Sequence, residues 1–234
     1  MKEKIIRVRD PRTIIYSEEH NGILAGMRKT ALEIMRAISS PSVLYGSAAR
    51  GDVNAGSDID IVLHDPVETY KVELPLAQKG YNVESRELVM ANPNSIPKAH
   101  IHLESNATIT IPLFKPSTNE EEFYRFGGSV DIRSIENGQR VPGVTKKLLL
   151  IEPVEGGHIE SSIIGREVEI SKKLKIGIET VNERIRVLSR RDSIGRTGVY
   201  LKEELDDDDS FESFWKRLSD RDPVLRRQKK IRKR

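Results

Sequence analysis

Residues 43–63 constrain this chain more than any other stretch. An apolar run, Val43-Leu44-Tyr45, leads into Gly46-Ser47-Ala48-Ala49-Arg50-Gly51, and Ser57-Asp58-Ile59-Asp60-Ile61-Val62-Leu63 follows. The pattern reads as a buried strand, a glycine-bounded turn that opens a short helix, and a second strand carrying two carboxylates. Side chains alternate along a strand, so Asp58 and Asp60 leave one face while Ile59, Ile61 and Leu63 enter a core on the other. Two adjacent like charges repel, and each prefers to be solvated. Their pairing on an otherwise apolar strand makes sense around a divalent cation. Oxygen-only ligands suit Mg²⁺ or Mn²⁺, with water and substrate phosphates filling the remaining positions.

The turn supplies the other half of a site. Gly46 permits a strained backbone or a close approach to a ligand. Ser47 offers a hydroxyl where a helix begins, beside free N–H groups and the positive end of the dipole. Arg50, three residues on, falls roughly on the same side. Together, Gly46-Ser47, Arg50-Gly51 and Ser57-Asp58-Ile59-Asp60 resemble the signature of the polymerase-beta-type nucleotidyltransferase superfamily, in an archaeal-like branch. The resemblance covers 43–63 closely and roughly 30–116 in the order of elements. It implies metal-dependent transfer of a nucleoside monophosphate from an NTP, with loss of pyrophosphate. Gly46, Ser47, Arg50 and Ser57 would then bind nucleotide, and Asp58 and Asp60 would be catalytic residues that hold Mg²⁺ or Mn²⁺.

The superfamily usually adds a third carboxylate on a later strand. The best-placed strand here, Ala107–Pro112, turns Thr108 and Thr110 outward. The preceding strand puts His100, His102 and Glu104 on one face, and Glu104 is the one nearby carboxylate that can stand in. A threonine hydroxyl neither takes up a proton nor holds Mg²⁺ strongly. Three alternatives stay open: Glu104 is the third catalytic acid, activity is weak, or the fold is kept for binding. His100 and His102 read as two exposed strand residues, with a catalytic or metal role as the competing reading.

Around this centre, two β-prone runs (Lys4 to Val8, Thr13 to Tyr16) predict an N-terminal hairpin, and 19–38 predict a helix ended by Ser39-Ser40-Pro41. Asp65-Pro66 predicts a helix start with Pro first, and Pro75 its end or kink. Strands are expected at about 82–91, 99–104 and 107–114, the last two joined tightly at Ser105-Asn106. Residues 115–143 read as irregular, with Phe123-Tyr124-Arg125-Phe126 either stacking a base or anchoring a loop. A strand is expected over Lys147 to Ile151.

From about 160 the apolar period lengthens to 3.6. Two short helices around a turn at Lys175–Ile178, the second about 179–190, resemble a helix-turn-helix. Gly195–Leu201 would follow as a wing. Counting Val181, Ile185 and Leu188 as the inner side leaves Arg184, Arg186, Arg190 and Arg191 outside. With Lys172, Lys173 and Arg196 they form the expected nucleic-acid face. A helical cap or a dimerisation element is the competing reading. Phe211, Phe214, Trp215 and Leu218 predict a closing amphipathic helix, and 226–234 a mobile basic tail.

The expected architecture is therefore a mixed α/β nucleotidyltransferase-like sheet with flanking helices (1–155), a small helix-turn-helix-like domain (156–222) and a basic tail (223–234). The partners expected are an NTP and nucleic acid, RNA or DNA, with a protein partner or a second copy left open. The 234 residues carry a formal charge of only +3 and no cysteine. That excludes disulfides and cysteine-ligated zinc and fits a cytoplasmic chain. No apolar run reaches a membrane span, and the N-terminus lacks a signal-peptide core. High charge with few Asn and Gln leans towards a thermophile. Alternatives to a nucleic-acid-directed transferase are an inactive nucleic-acid-binding or regulatory protein, and a minimal transferase acting on a protein partner, as in toxin–antitoxin-like systems.

Overall fold

The computed structural model describes residues 5–7, 10–195, 198–206 and 208–232. In chain order the elements are β1 (Arg12–Ile15), α1 (Glu18–Ile38), β2 (Ser42–Tyr45), α2 (Ser47–Arg50), β3 (Ile59–Leu63), α3 (Tyr70–Gln78), β4 (Val83–Met90), β5 (Lys98–Leu103), β6 (Ala107–Pro112) and α4 (Thr118–Gly127). There follow β7 (Ser129–Val130), α5 (Ile132–Glu136), β8 (Gly143–Val144), β9 (Leu149–Val154), β10 (Gly157–Ser162), α6 (Glu167–Leu174), α7 (Ile178–Ile194), β11 (Leu201–Glu204), α8 (Phe211–Arg221) and α9 (Pro223–Arg232). The mixed α/β class expected from the sequence holds. Among the described residues no helix is long and apolar enough to cross a membrane.

The chain packs as two compact units, each built from three separate segments. The first comprises Met1–Leu32, Val43–Ile59 and Ser117–Thr197. Its sheet, β1-β10-β9-β8, is antiparallel throughout, and β2 pairs antiparallel with β7. Its core gathers Phe126, Val144, Leu148, Leu150 and Ile163 with Ile170 and Leu174 of α6 and Val181 and Leu188 of α7. Burying each such aliphatic side chain contributes about 2 kcal/mol, so α6 and α7 are fastened by their apolar stripes to the sheet side of this unit. Between them Lys175 takes the left-handed conformation (φ 54°, ψ 50°), while the Ile176 N–H returns to the Ser171 carbonyl. No wing follows. β11 pairs antiparallel with β4 as a sheet edge, Leu201 opposite Met90.

The second unit comprises Glu33–Ser42, Asp60–Pro116 and Gly198–Arg234. Its strands run β11-β4-β5-β6-β3, and β4, β5 and β6 form an antiparallel meander. Alternation sorts the side chains cleanly. Leu88, Met90, Ala99, Ile101, Leu103, Ile109, Ile111, Ile61 and Leu63 are fully buried, whereas Glu87, His100, His102 and Thr108 stay partly accessible on the other face. Helix α8 buries Phe211 and Trp215, and its cap, Ser210, accepts the Ser213 N–H.

Several sequence expectations change. β1 pairs with β10, some 145 residues away, instead of forming an N-terminal hairpin; Ile6 bonds to Lys147, and Lys4 and Val8 lie outside the described residues. Helix α3 starts at Tyr70 after the Thr69 cap, leaving Pro66 in the loop, and continues past Pro75. The β5–β6 turn has three residues, with Asn106 at φ 56°. The stretch read as irregular contains α4, opened by a Ser117/Glu120 capping box. The basic tail is helical to Arg232: Asp222 accepts the Val224 and Leu225 N–H groups, and Leu225 is buried.

Candidate functional site: the glycine-serine turn and its carboxylates

Strand β2 delivers the chain to Gly46, whose φ of 85° is a conformation that L side chains rarely adopt. The Gly46 carbonyl accepts the Ala49 and Arg50 N–H groups at 3.1 Å each, and its own N–H donates to Gly128 O at 2.9 Å. Helix α2 is a single turn that buries Ala48 and Ala49. The Ser47 and Ala48 N–H groups precede the first intrahelical bond, and glycine caps neither with a side chain. Ser47 is half-buried at this end. Gly51 closes the turn at φ 107°, and a Cβ there would meet Arg140 Cδ at 2.7 Å.

A loop then presents the carboxylates. The Asn54 N–H donates to Ser57 Oγ at 3.0 Å, the Gly56 N–H to Asn54 Oδ1 at 2.9 Å and the Ser57 N–H back to Asn54 O at 3.0 Å. Ser57 thus folds the loop on itself. Asp58 follows, exposed; Ile59 is buried; Asp60, in β3, is half-buried. Extended chain puts Asp58 and Asp60 on one face.

A brace of residues that the sequence reading missed holds this turn from below. Buried Arg28 donates from Nε to Ala48 O (2.9 Å), from Nη2 to Ala49 O (3.0 Å) and from Nη1 to Gln139 O (2.8 Å). Burial, reinforced by Arg140, lowers its pKa. His20 Nε2 donates to Gly51 O at 2.8 Å, and its ring stacks on Tyr16 at 3.7 Å. The Tyr16 hydroxyl meets His158 Nδ1 at 2.9 Å. Burial raises Tyr16 and lowers His158. Spacing carried a signal for Arg28, which falls four residues after Leu24 and three before Ala31, on the apolar side of α1.

The other site residues divide. Arg50 turns inward, grips both Asp52 oxygens at 2.9 Å and donates to Gly127 O at 2.5 Å, so it serves the scaffold. Glu104 lies in the β5–β6 turn instead of on the strand, exposed, and accepts from Asn82 Nδ2 at 2.9 Å. Thr110, on the strand beside β3, is 7% exposed and bonded to His100 Nδ1 at 3.2 Å. His102 Nδ1 meets Thr108 at 3.0 Å, and its Nε2 faces Glu87 at 3.4 Å. Burial, with Lys98 and His102 nearby, lowers the His100 pKa to about 4. The two histidines are therefore members of a hydrogen-bonded row, not bare strand residues.

On α6, Lys172 and Lys173 are exposed, and Lys173 pairs with Glu152. Arg186, Arg190 and Arg191 are exposed on α7, whereas Arg184 points inward, its Cζ 4.6 Å from the Phe123 ring centroid. Arg196 lies outside the described residues. The aromatics of α4 pack on Tyr45, Phe123 at 5.9 Å and Tyr124 edge-on at 5.2 Å.

A family model described as a nucleotidyltransferase domain matches residues 28–193. The chain belongs to this family. The nucleotidyltransferase domain thus takes in the braced turn, the paired aspartates and, beyond the meander, both α6 and α7. Among solved structures, one titled "structure of GLD-2/RNP-8 complex" is similar at 17% identity and a TM-score of 0.28, over 48% of this chain and 46% of that one. The matched region thus spans less than half of that neighbour's length. No curated protein matches the sequence.

Among the described residues, no three His, Asp or Glu side chains form a metal cluster. Asp58 and Asp60 are a two-carboxylate donor set. That set fits Mg²⁺ or Mn²⁺, which take the rest of their ligands from water and substrate phosphates.

Proposed function

We propose that this nucleotidyltransferase domain moves a nucleoside monophosphate from an NTP to a nucleic-acid acceptor. The observation that carries the reading is the braced Gly46-Ser47 turn, followed within one short stretch of chain by Asp58 and Asp60. The turn offers N–H donors and the Ser47 hydroxyl to phosphate oxygens. Asp58 and Asp60 hold the divalent metal, which, when bound, supplies charge neutralisation to the phosphoryl group. Ser57 keeps the loop folded so that the carboxylates are presented together. The exposed arginines of α7 offer phosphate contacts to an acceptor.

The test is Mg²⁺-dependent pyrophosphate release from each NTP, with RNA, DNA or protein added in turn. Turnover lost in Asp60→Ala supports the reading. Turnover that survives this change overturns it.

One observation favours a second reading, a binding protein with little or no turnover. Thr110 is occupied by His100, and Glu104 is held at a hairpin tip by Asn82. Neither supplies a third carboxylate beside Asp60. Tight nucleic-acid binding without pyrophosphate release from any NTP would establish that reading. Glu104→Gln is expected to leave turnover rates unchanged.

A further inference from the structure

Arg184 is a half-buried cation on the inner side of α7. Its Nε is buried, with no hydrogen-bond partner among the described residues. Its guanidinium carbon stands 4.6 Å over Phe123. Phe123 stacks on Tyr45 with ring planes 27° apart. Tyr45 in turn lies against Gly127, where a Cβ would come within 2.4 Å of the tyrosine ring. Tyr45 is also the residue before Gly46-Ser47. Two aromatic rings, those of Phe123 and Tyr45, therefore link Arg184 to the residue that precedes the turn.

The other inward arginines of this unit show what a satisfied guanidinium looks like. Arg28 meets three carbonyls, and Arg50 meets a carboxylate and a carbonyl. At Arg184 burial opposes the charge, and Arg191 adds to that; Tyr45 and Glu183 favour it only through space. A cation–π contact offsets part of the cost of a half-buried guanidinium with an unpaired Nε–H, not all of it. Such a group is costly in the free protein and becomes favourable when an anion reaches it. Its planar fork matches phosphate oxygens.

We propose that Arg184 binds the phosphate oxygens of a nucleoside triphosphate beside the Gly46-Ser47 turn. This rests on the nucleotidyl-transfer reading only for the source of the phosphate. The NTP is preferred over a nucleic-acid backbone because Arg184 lies inward, whereas Arg186, Arg190 and Arg191 occupy the exposed side of the same helix.

The test uses the full chain, inorganic tripolyphosphate and no divalent metal, read by calorimetric titration and thermal melting. Arg184→Met is expected to weaken tripolyphosphate binding about tenfold or more, as loss of a charge-assisted hydrogen bond does. The same variant without ligand is expected to melt no lower than wild type, because a buried, unpaired Nε–H has gone. Arg184→Lys keeps the charge but not the fork and is expected to bind several-fold more weakly than wild type. Wild-type affinity in either variant overturns the proposal. So does a loss confined to an oligonucleotide lacking terminal phosphates, which would assign Arg184 to the backbone of an acceptor. Asp60→Ala separates the two ideas: it is expected to abolish turnover and to retain metal-free tripolyphosphate binding. Absence of turnover with Arg184-dependent binding would remove the transfer reading alone.

Discussion

Arg28 shows how much one side chain can hold at this site. Its three carbonyl acceptors span α2 and residue 139. Arg28→Met removes three donors; the Ala49 carbonyl keeps the Val141 N–H, while the carbonyl of buried Ala48 loses its Arg28 partner. Hydrogen bonds to a charged group contribute about 1.5–3 kcal/mol each and do not simply add. We expect a loss of about 3 kcal/mol, measured by urea unfolding, and weaker NTP binding, because the turn loses its floor. His100 sets a pH dependence at the same scale. Its folded pKa of about 4 lies below the ordinary histidine value. The unfolded chain therefore takes up a proton first as pH falls, and the folded state loses stability from about pH 6.5 down to about pH 4. Lys98, His102, Glu87 and Lys202 shape the field there, and Lys98, His102 and Lys202 oppose protonation. His158, lowered in the same sense, adds to the slope. His100→Gln should flatten the acid limb of stability against pH; an unchanged limb would place the titration elsewhere.

Elements differ in how far the sequence revealed them. β2, the turn and β3 were legible because local chemistry decides them: a glycine at positive φ, an apolar alternation and two polar exceptions to it. Helix α1 was legible for the same reason. β1 was not, because its partner β10 lies far along the chain and short β-prone runs do not name their partners. Helix α4 carried a readable start, Ser117 with Glu120, but glutamates and clustered aromatics obscured its period. Arg184 was assigned to the outer face although it falls three residues after Val181 and four before Leu188, the same stripe that fastens α7. Charge is a poor guide to orientation when an arginine stacks on an aromatic ring. Glycines test these elements directly. In α1, a Cβ at Gly22 or Gly26 meets nothing within 4 Å. Gly22→Ala and Gly26→Ala should each stabilise the chain by up to about 1 kcal/mol in thermal melts. At Gly157 a Cβ would lie 1.9 Å from Ile14 O. Gly157→Ala should push β1 off β10, seen as lost hydrogen-exchange protection along Arg12–Ile15.

Over the whole molecule the formal charge is only +3, so no strong global field draws a polyanion to it. Affinity for nucleic acid must come from local clusters, and the inward turn of Arg184 thins the one on α7. What remains exposed there is Arg186, Arg190 and Arg191, with Lys172 on α6; Lys173 is already paired to Glu152. Each phosphate contact on a single strand adds about 0.7 to the slope of log affinity against log salt. If α7 supplies the acceptor contacts, Arg186→Gln with Arg191→Gln should make that slope shallower by about 1.4. A slope that stays put would move the acceptor away from α7 and leave this helix with its inward side alone, the apolar stripe of Val181 and Leu188 with Arg184 against Phe123.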